Sequence, residues 1–209
     1  MELLNALIDV FVNLDVHFAE ILATYGIWVY AILFLIIFCE TGLVVTPLLP
    51  GDSLLFVVGT FVGSSHLDGL WVSSTLIIAA ILGDTVNYQI GKYVGGFLVD
   101  RKLLIKPKHI EKTNEFFDKY GGKTIVLARF VPIVRTYAPF VAGLGRYSYI
   151  SFLIYNVLGA LLWVTLLVGA GVLFGTIDFV KNNLTAVILL IVFLSIVPAL
   201  IEFFRARNT

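Results

Sequence analysis

Apolar runs alternate with short polar breaks along the chain, and two of the runs are interrupted before they can cross a membrane. Residues 27–38 are apolar throughout, but the run stops after 12 residues at Cys39 and Glu40. Beyond Pro47, Pro50, Gly51 and Asp52, the string LLFVVGTFV supplies nine more. A membrane-spanning helix needs about 20, so the pattern predicts a re-entrant hairpin over residues 27–63. Such a hairpin is tolerated at depth only where protein or water covers its backbone. A second interrupted stretch, 123–146, holds ARFVPIVRTYAPFVAG and predicts a second hairpin. Pro132 and Pro139 deny it an unbroken helix, since each lacks an N–H and crowds the preceding turn.

Three longer runs predict full spans at 71–91, 149–175 and 184–204. Residues 1–24 carry apolar positions at helical spacing interrupted by Glu2, Asp9, Asp15 and Glu20, which suits a helix lying in the membrane interface. Residues 92–122 form the one hydrophilic section, expected to hold a short amphipathic helix ended by Gly121. The expected fold is an all-α integral membrane protein: one domain over 1–209, two re-entrant broken-helix hairpins, three full transmembrane helices and amphipathic interfacial helices.

The halves share spelling. Tyr25-Gly26 opens one broken segment and Tyr120-Gly121 the other; FVVG ends the first and FVAG the second. Leu82-Gly83 then matches Leu158-Gly159, and Gly91 and Gly95 match Gly171 and Gly175. Residues 25–95 and 120–175 are therefore read as two repeats.

Composition agrees: 59% of the 209 residues are hydrophobic and 13% charged, with a mean hydropathy of +0.99. A soluble domain carries about 25% charged residues. The start MELLNALIDVF lacks a basic n-region and is read as mature sequence. Net charge is zero, yet residues 1–91 contain no Lys or Arg, and all 14 basic residues lie from Lys92 onward. The bias of basic residues toward the cytoplasm puts the 92–122 segment and the Arg205/Arg207 tail inside, the N-terminus outside, and the two hairpins in opposite faces. That is the inverted-repeat plan of many secondary transporters. The basic segment beside a membrane suits anionic lipid as a partner rather than nucleic acid.

The candidate chemistry sits in the broken segments. Glu40 and Asp52 mark the first, Arg129 and Arg135 the second. Uncompensated, four charges at this depth would cost about 2.5–3.5 kcal/mol each, so they must be paired or hydrated. Helix ends at the tips, around Gly51 and Pro132, favour anions. Arginine adds forked donors that match phosphate oxygens. Arg129, Arg135, Gly51 and Pro132 are thus candidates for holding a phosphate headgroup. Glu40 and Asp52 are candidates for a coupling proton, because a carboxylate that loses its cationic partner to an arriving anion binds a proton more readily. The plainer alternatives stand beside these: Glu40 and Asp52 could simply pin the hairpins to the arginines, and Asp52 could cap the helix that follows Gly51. Asp84, with Asn87 and Tyr88, either lines the cavity or hydrogen-bonds Asn156 in the matching span. His17, His66 and His109 suit interfacial positions, and Trp28, Trp71 and Trp163 suit packing or interface anchors. No metal-ligand spacing, phosphate-binding glycine loop or nucleophile elbow occurs, so no cofactor, metal or enzymatic activity is expected.

Three strings, FCETGLVVTPLLPGDSLLFVVG, LGDTVNYQIGKYVG and GGKTIVLARFVPIVRTYAPFVAG, closely resemble the DedA family of bacterial inner-membrane proteins. That family shares the SNARE-associated, or VTT, domain with eukaryotic lipid scramblases. The resemblance covers nearly the whole chain. It implies that Glu40 and Asp52 match the family's essential acids and Arg129 and Arg135 its essential arginines. It also implies lipid translocation, notably of undecaprenyl phosphate, linked to membrane potential. The expected function is a proton-motive-force-coupled flippase for a phosphate-headed lipid in the bacterial inner membrane. The first alternative is a proton- or cation-coupled transporter of small solutes. A lipid phosphatase would need a nucleophile near the arginines, and a scaffold would keep its charges on its surfaces.

Overall fold

The computed structural model describes residues 14–43, 51–64, 67–100, 117, 119–145, 147–175, 177–184 and 186–191, and all regular structure there is helical. α1 is Leu14–Tyr25, followed by a 3₁₀ turn at Gly26–Trp28 and by α2, Val29–Gly42. α3 is Gly51–Gly63 and α4 is Gly69–Asp100. α5, Lys123–Ala128, and α6, Pro132–Leu144, form the second broken segment. α7, Tyr149–Phe174, and the short α8, Asp178–Asn182, follow. Residues 184 and 186–191 are helical, and the rest of the expected span 184–204 lies outside the described residues, as do Pro47, Pro50 and most of the 92–122 segment.

Local chemistry explains the helix ends. Asp68 Oδ1 accepts hydrogen bonds from the N–H groups of Leu70 at 2.9 Å and Trp71 at 3.0 Å, capping α4. Gly121 adopts φ 62°, and its N–H bonds the carbonyl of Phe117, a left-handed stop where the sequence places one. Val131 is extended (φ −121°, ψ 104°), as the residue before a proline should be, and Pro132 then opens α6 at its first turn. Pro139, expected to break the run again, is carried inside a continuous α6. Membrane helices tolerate proline where neighbouring groups satisfy the freed backbone. α4 also outruns the expected span 71–91, reaching Asp100. Its 32 residues make about 48 Å of helix, more than a hydrocarbon core of about 30 Å.

Among the described residues, two stretches are long and apolar enough to cross a membrane, Gly69–Val94 and Tyr149–Phe174, and only 33% of the most apolar part of each is buried. A soluble core helix of that hydropathy would be covered. On α4, Ile78, Leu82 and Val86 form an exposed stripe, while Asp84, Asn87 and Tyr88 are buried. On α7, Ile154, Leu158 and Leu162 face out, while Asn156, Ala160 and Trp163 are buried. The amphipathicity is turned inside out, apolar toward lipid and polar inward.

The chain packs as two compact units. The first takes Met1–Ile36, Pro50–Leu76 and Val164–Thr209, and the second Ile37–Leu49 and Ile77–Trp163. In the first, Phe18 of α1 meets Phe61 of α3 edge to face at 4.9 Å, and α3 crosses the end of α7 backbone to backbone. A Cβ on Gly171 would strike the Phe56 carbonyl, and one on Gly59 would lie 2.8 Å from Gly171 Cα. In the second, α6 crosses α4 the same way: a Cβ on Gly91 would strike the Phe140 carbonyl, and one on Gly143 the Tyr88 carbonyl. Phe56 and Gly59 are the ends of FVVG, and Phe140 and Gly143 the ends of FVAG. The same contact is built twice, from matched letters. A core of Tyr88, Phe117, Ile125, Ala128, Ala138, Ala142 and Phe152 completes the second unit.

These crossings make a prediction about accumulation. Gly91→Val and Gly171→Val force backbones apart, a cost of about 1–3 kcal/mol or more for overpacking, and should lower the melting temperature in detergent. Gly169→Val, whose Cβ meets nothing within 4 Å, should behave as wild type. Equal stability of all three variants would mean the helices do not cross at these glycines.

Candidate functional site

Among the described residues, the second unit buries four charged side chains. Glu40, Asp84 and Arg129 are each 1% exposed and Arg135 is 5% exposed. Glu40 lies in the last turn of α2, Asp84 mid-way along α4, Arg129 just past α5 and Arg135 in the first turns of α6. Glycines let these side chains in. A Cβ on Gly42 would lie 3.3 Å from Gly83 Cα, so the end of α2 rests on α4 beside Asp84. A Cβ on Gly159 would sit 3.0 Å from Arg129 Cδ, so the arginine stem lies across bare α7 backbone.

Two ion pairs result. Arg135 Nη2 donates to Glu40 Oε1 at 2.5 Å. Arg129 Nη2 donates to Asp84 Oδ2 and to Asn156 Oδ1, both at 2.5 Å, with the Ala80 carbonyl further off at 3.4 Å. Asn156 is held in turn by its Nδ2, which donates to the Ile81 carbonyl at 3.1 Å. Both guanidiniums face the ring of Trp163, Arg135 at 5.1 Å and Arg129 at 5.9 Å from its centroid. An indole face attracts cations, so one buried ring serves two like charges.

Asn87 holds the frame. Its Nδ2 donates to the carbonyls of Thr41 at 3.1 Å and Thr136 at 2.8 Å. Thr41 follows Glu40 and Thr136 follows Arg135, so one amide fixes the backbone behind both partners of an ion pair. The Thr41 carbonyl is one of the orphans that every helix C-terminus leaves.

The expected site residues divide. Arg129, Arg135, Glu40, Asp84 and Asn156 come together; Asp84 and Asn156 meet through Arg129 rather than by bonding each other. Tyr88 stacks on Phe152 and donates its hydroxyl to the Tyr147 carbonyl, as part of the core. Pro132 supplies the first residue of α6, where the chain turns between the two arginines. Gly51 and Asp52 belong to the first unit. There Gly51 is buried at the start of α3 and Asp52 is half-buried as its second residue, inside the first turn rather than ahead of it. A carboxylate in that place is favoured by the helix dipole.

The place of Trp163 against both guanidiniums and the clamping role of Asn87 escaped the sequence reading. A signal existed: Asn156, Gly159 and Trp163 recur at i, i+3 and i+7, and Ala80, Asp84, Asn87 and Gly91 at i, i+4, i+7 and i+11, each one face of a helix. Trp28 and Trp71, by contrast, are exposed, as interface anchors are.

The comparisons with known proteins bear on this arrangement. The sequence profile of the VTT domain matches residues 49–173. The chain is 54% identical to Protein DedA of Escherichia coli (strain K12) over 212 aligned positions, covering 100% of this chain and 97% of that protein. The chain belongs to the DedA family. An uncharacterised membrane protein of Mycobacterium leprae (strain TN) is 41% identical across 79% of this chain and 75% of its own length. Inner membrane protein YqjA of Escherichia coli (strain K12) is 34% identical across 70% and 67%. No solved structure matches. This DedA-family chain is therefore a membrane protein related to inner-membrane proteins, and the polar cluster lies within the span its VTT domain covers, Glu40 alone preceding it.

Breaking one partner of a buried pair strands a charge, at a cost of about 3–5 kcal/mol. Arg135→Gln alone should therefore lower stability by about that amount in thermal unfolding. Adding Glu40→Gln should restore much of the loss. Additive losses in the double variant would show that the two side chains do not depend on each other.

Proposed function

We propose that this protein moves a lipid with a phosphate headgroup between the leaflets of the bacterial inner membrane, coupled to the proton motive force. The observation that carries the proposal is a pair of buried arginines, each held by a carboxylate and both facing one indole. A phosphate presents the same acceptor oxygens as a carboxylate, so it can take either arginine in exchange, while the tail stays in lipid. Undecaprenyl phosphate, implied by the family resemblance, and phospholipids are the candidate cargoes.

Helix fields favour the exchange. Glu40 sits at the C-terminal, negative end of α2, and Arg135 near the N-terminal, positive end of α6. Each is disfavoured by its own helix dipole and relies on the other. An arriving anion relieves Arg135 and leaves Glu40 at a negative helix end with its hydrogen-bonded cation engaged elsewhere. Taking up a proton then neutralises it, which links proton and lipid movement. Asp52 remains a second candidate carrier. The basic segment 92–122 rests on anionic lipid in this scheme, with the N-terminus outside and the C-terminus in the cytoplasm.

The test is leaflet exchange of labelled phospholipids and polyprenyl phosphates in liposomes containing the purified protein. Wild-type protein should accelerate exchange of phosphate-headed lipids and respond to an imposed proton gradient. Arg129→Lys and Arg135→Lys keep charge but lose the planar fork, and each should reduce exchange severely while still accumulating. Glu40→Gln should bind lipid yet lose its response to the gradient. Exchange of small solutes but not of lipids would replace the proposal with its alternative. Indifference of the wild type to the gradient would end the coupling claim.

A further inference from the structure

Arg129 is gripped in an unusual way. A guanidinium takes an anion with two parallel bonds along either of two edges, Nε with Nη2 or Nη1 with Nη2. Nη2 belongs to both. It is Nη2 that the cluster occupies, with Asp84 Oδ2 and Asn156 Oδ1 each at 2.5 Å and the Ala80 carbonyl at 3.4 Å. Nε and Nη1 are buried and have no hydrogen-bond partner among the described residues, and neither has Asp84 Oδ1. The guanidinium thus keeps Nε and Nη1, which carry three of its five N–H donors, idle while the nitrogen that any forked grip needs is taken.

We propose that Asp84 is a built-in stand-in for the substrate's phosphate: it latches Arg129, must be displaced for the headgroup to bind, and so sets the affinity of the site. The proposal rests on the anion-exchange reading above and names the competitor in it. The substrate offers at least two oxygens on one centre. It can satisfy Nη2 together with Nε or Nη1, which the single Oδ2 of Asp84 does not. Asn156 stays anchored to the Ile81 carbonyl and guides Arg129 back once the anion leaves. Trp163 keeps the released guanidinium facing the site, through the same ring that faces Arg135. The latch prevents a bare buried cation between turnovers, and it keeps bound phosphate from becoming a trap.

Trp163 provides a readout that does not depend on transport. In a Trp28→Phe/Trp71→Phe background it is the one tryptophan left in the sequence, and movement of either guanidinium across its ring changes its emission. The purified protein in detergent is titrated with dihexanoyl phosphatidic acid. Asp84→Asn removes the competing charge and should half-saturate at a concentration about 5–150-fold lower, the usual range for coupled sites. Its leaflet exchange should be slow, because release is slowed. Asn156→Asp places a second carboxylate on Nη2 and should shift saturation to higher concentration. Since it adds no stranded cation, it decides the matter even if Asp84→Asn fails to accumulate. Unchanged or tighter binding by Asn156→Asp, or unchanged or weaker binding by Asp84→Asn, overturns the latch. If wild-type emission ignores phosphatidic acid while liposomes still exchange phosphate lipids, the latch falls and the transport reading stands. If exchange is absent as well, both fall.

Discussion

A charge inside a membrane protein cannot be left uncompensated, and much of the second unit follows from that. Two arginines and two carboxylates are removed from water together, and each positive group has an acidic partner within hydrogen-bonding distance. Pairing alone does not make such a cluster stable, because desolvation offsets most of the Coulombic gain. The additional contacts matter: an asparagine on Arg129, an indole face for both guanidiniums, and the Asn87 amide holding the backbone behind Glu40 and Arg135. These elements are fixed relative to one another by what the charges require.

Close packing makes the pairing possible. Lipid gives helices little hydrophobic reason to associate, so they hold together where small residues let backbones approach. Gly83 admits the end of α2 to α4, and Gly159 admits the stem of Arg129 to α7. The same device recurs where FVVG meets Gly171 in one unit and FVAG meets Gly91 in the other. A repeated contact built from matched residues ties the spelling of the chain to its packing.

The proposed function depends on how easily the pairs come apart. Glu40 and Arg135 occupy helix ends that disfavour their charges, and Arg129 leaves two nitrogens idle. The arrangement suits the proposed exchange of one anion for another on the buried arginines.

The sequence by itself determined the membrane class, the positions of most helices and the stops at Gly121 and Pro132, because hydropathy, helical period and backbone restriction act locally. It also singled out Arg129, Arg135 and Glu40, because a charge in an apolar run is conspicuous without any structure. It could not say which acid meets which arginine. Asp52 and Asp84 look alike in the text, one beside a Pro-Gly break and one within a span. Pairing is decided by where α2 and α4 meet the second broken segment, through contacts between residues 45 and 95 positions apart. The contact of Trp163 with the arginines was invisible for the same reason. A tryptophan in an apolar run reads as packing or as an interface anchor, and only the tertiary structure brings two guanidiniums to its ring.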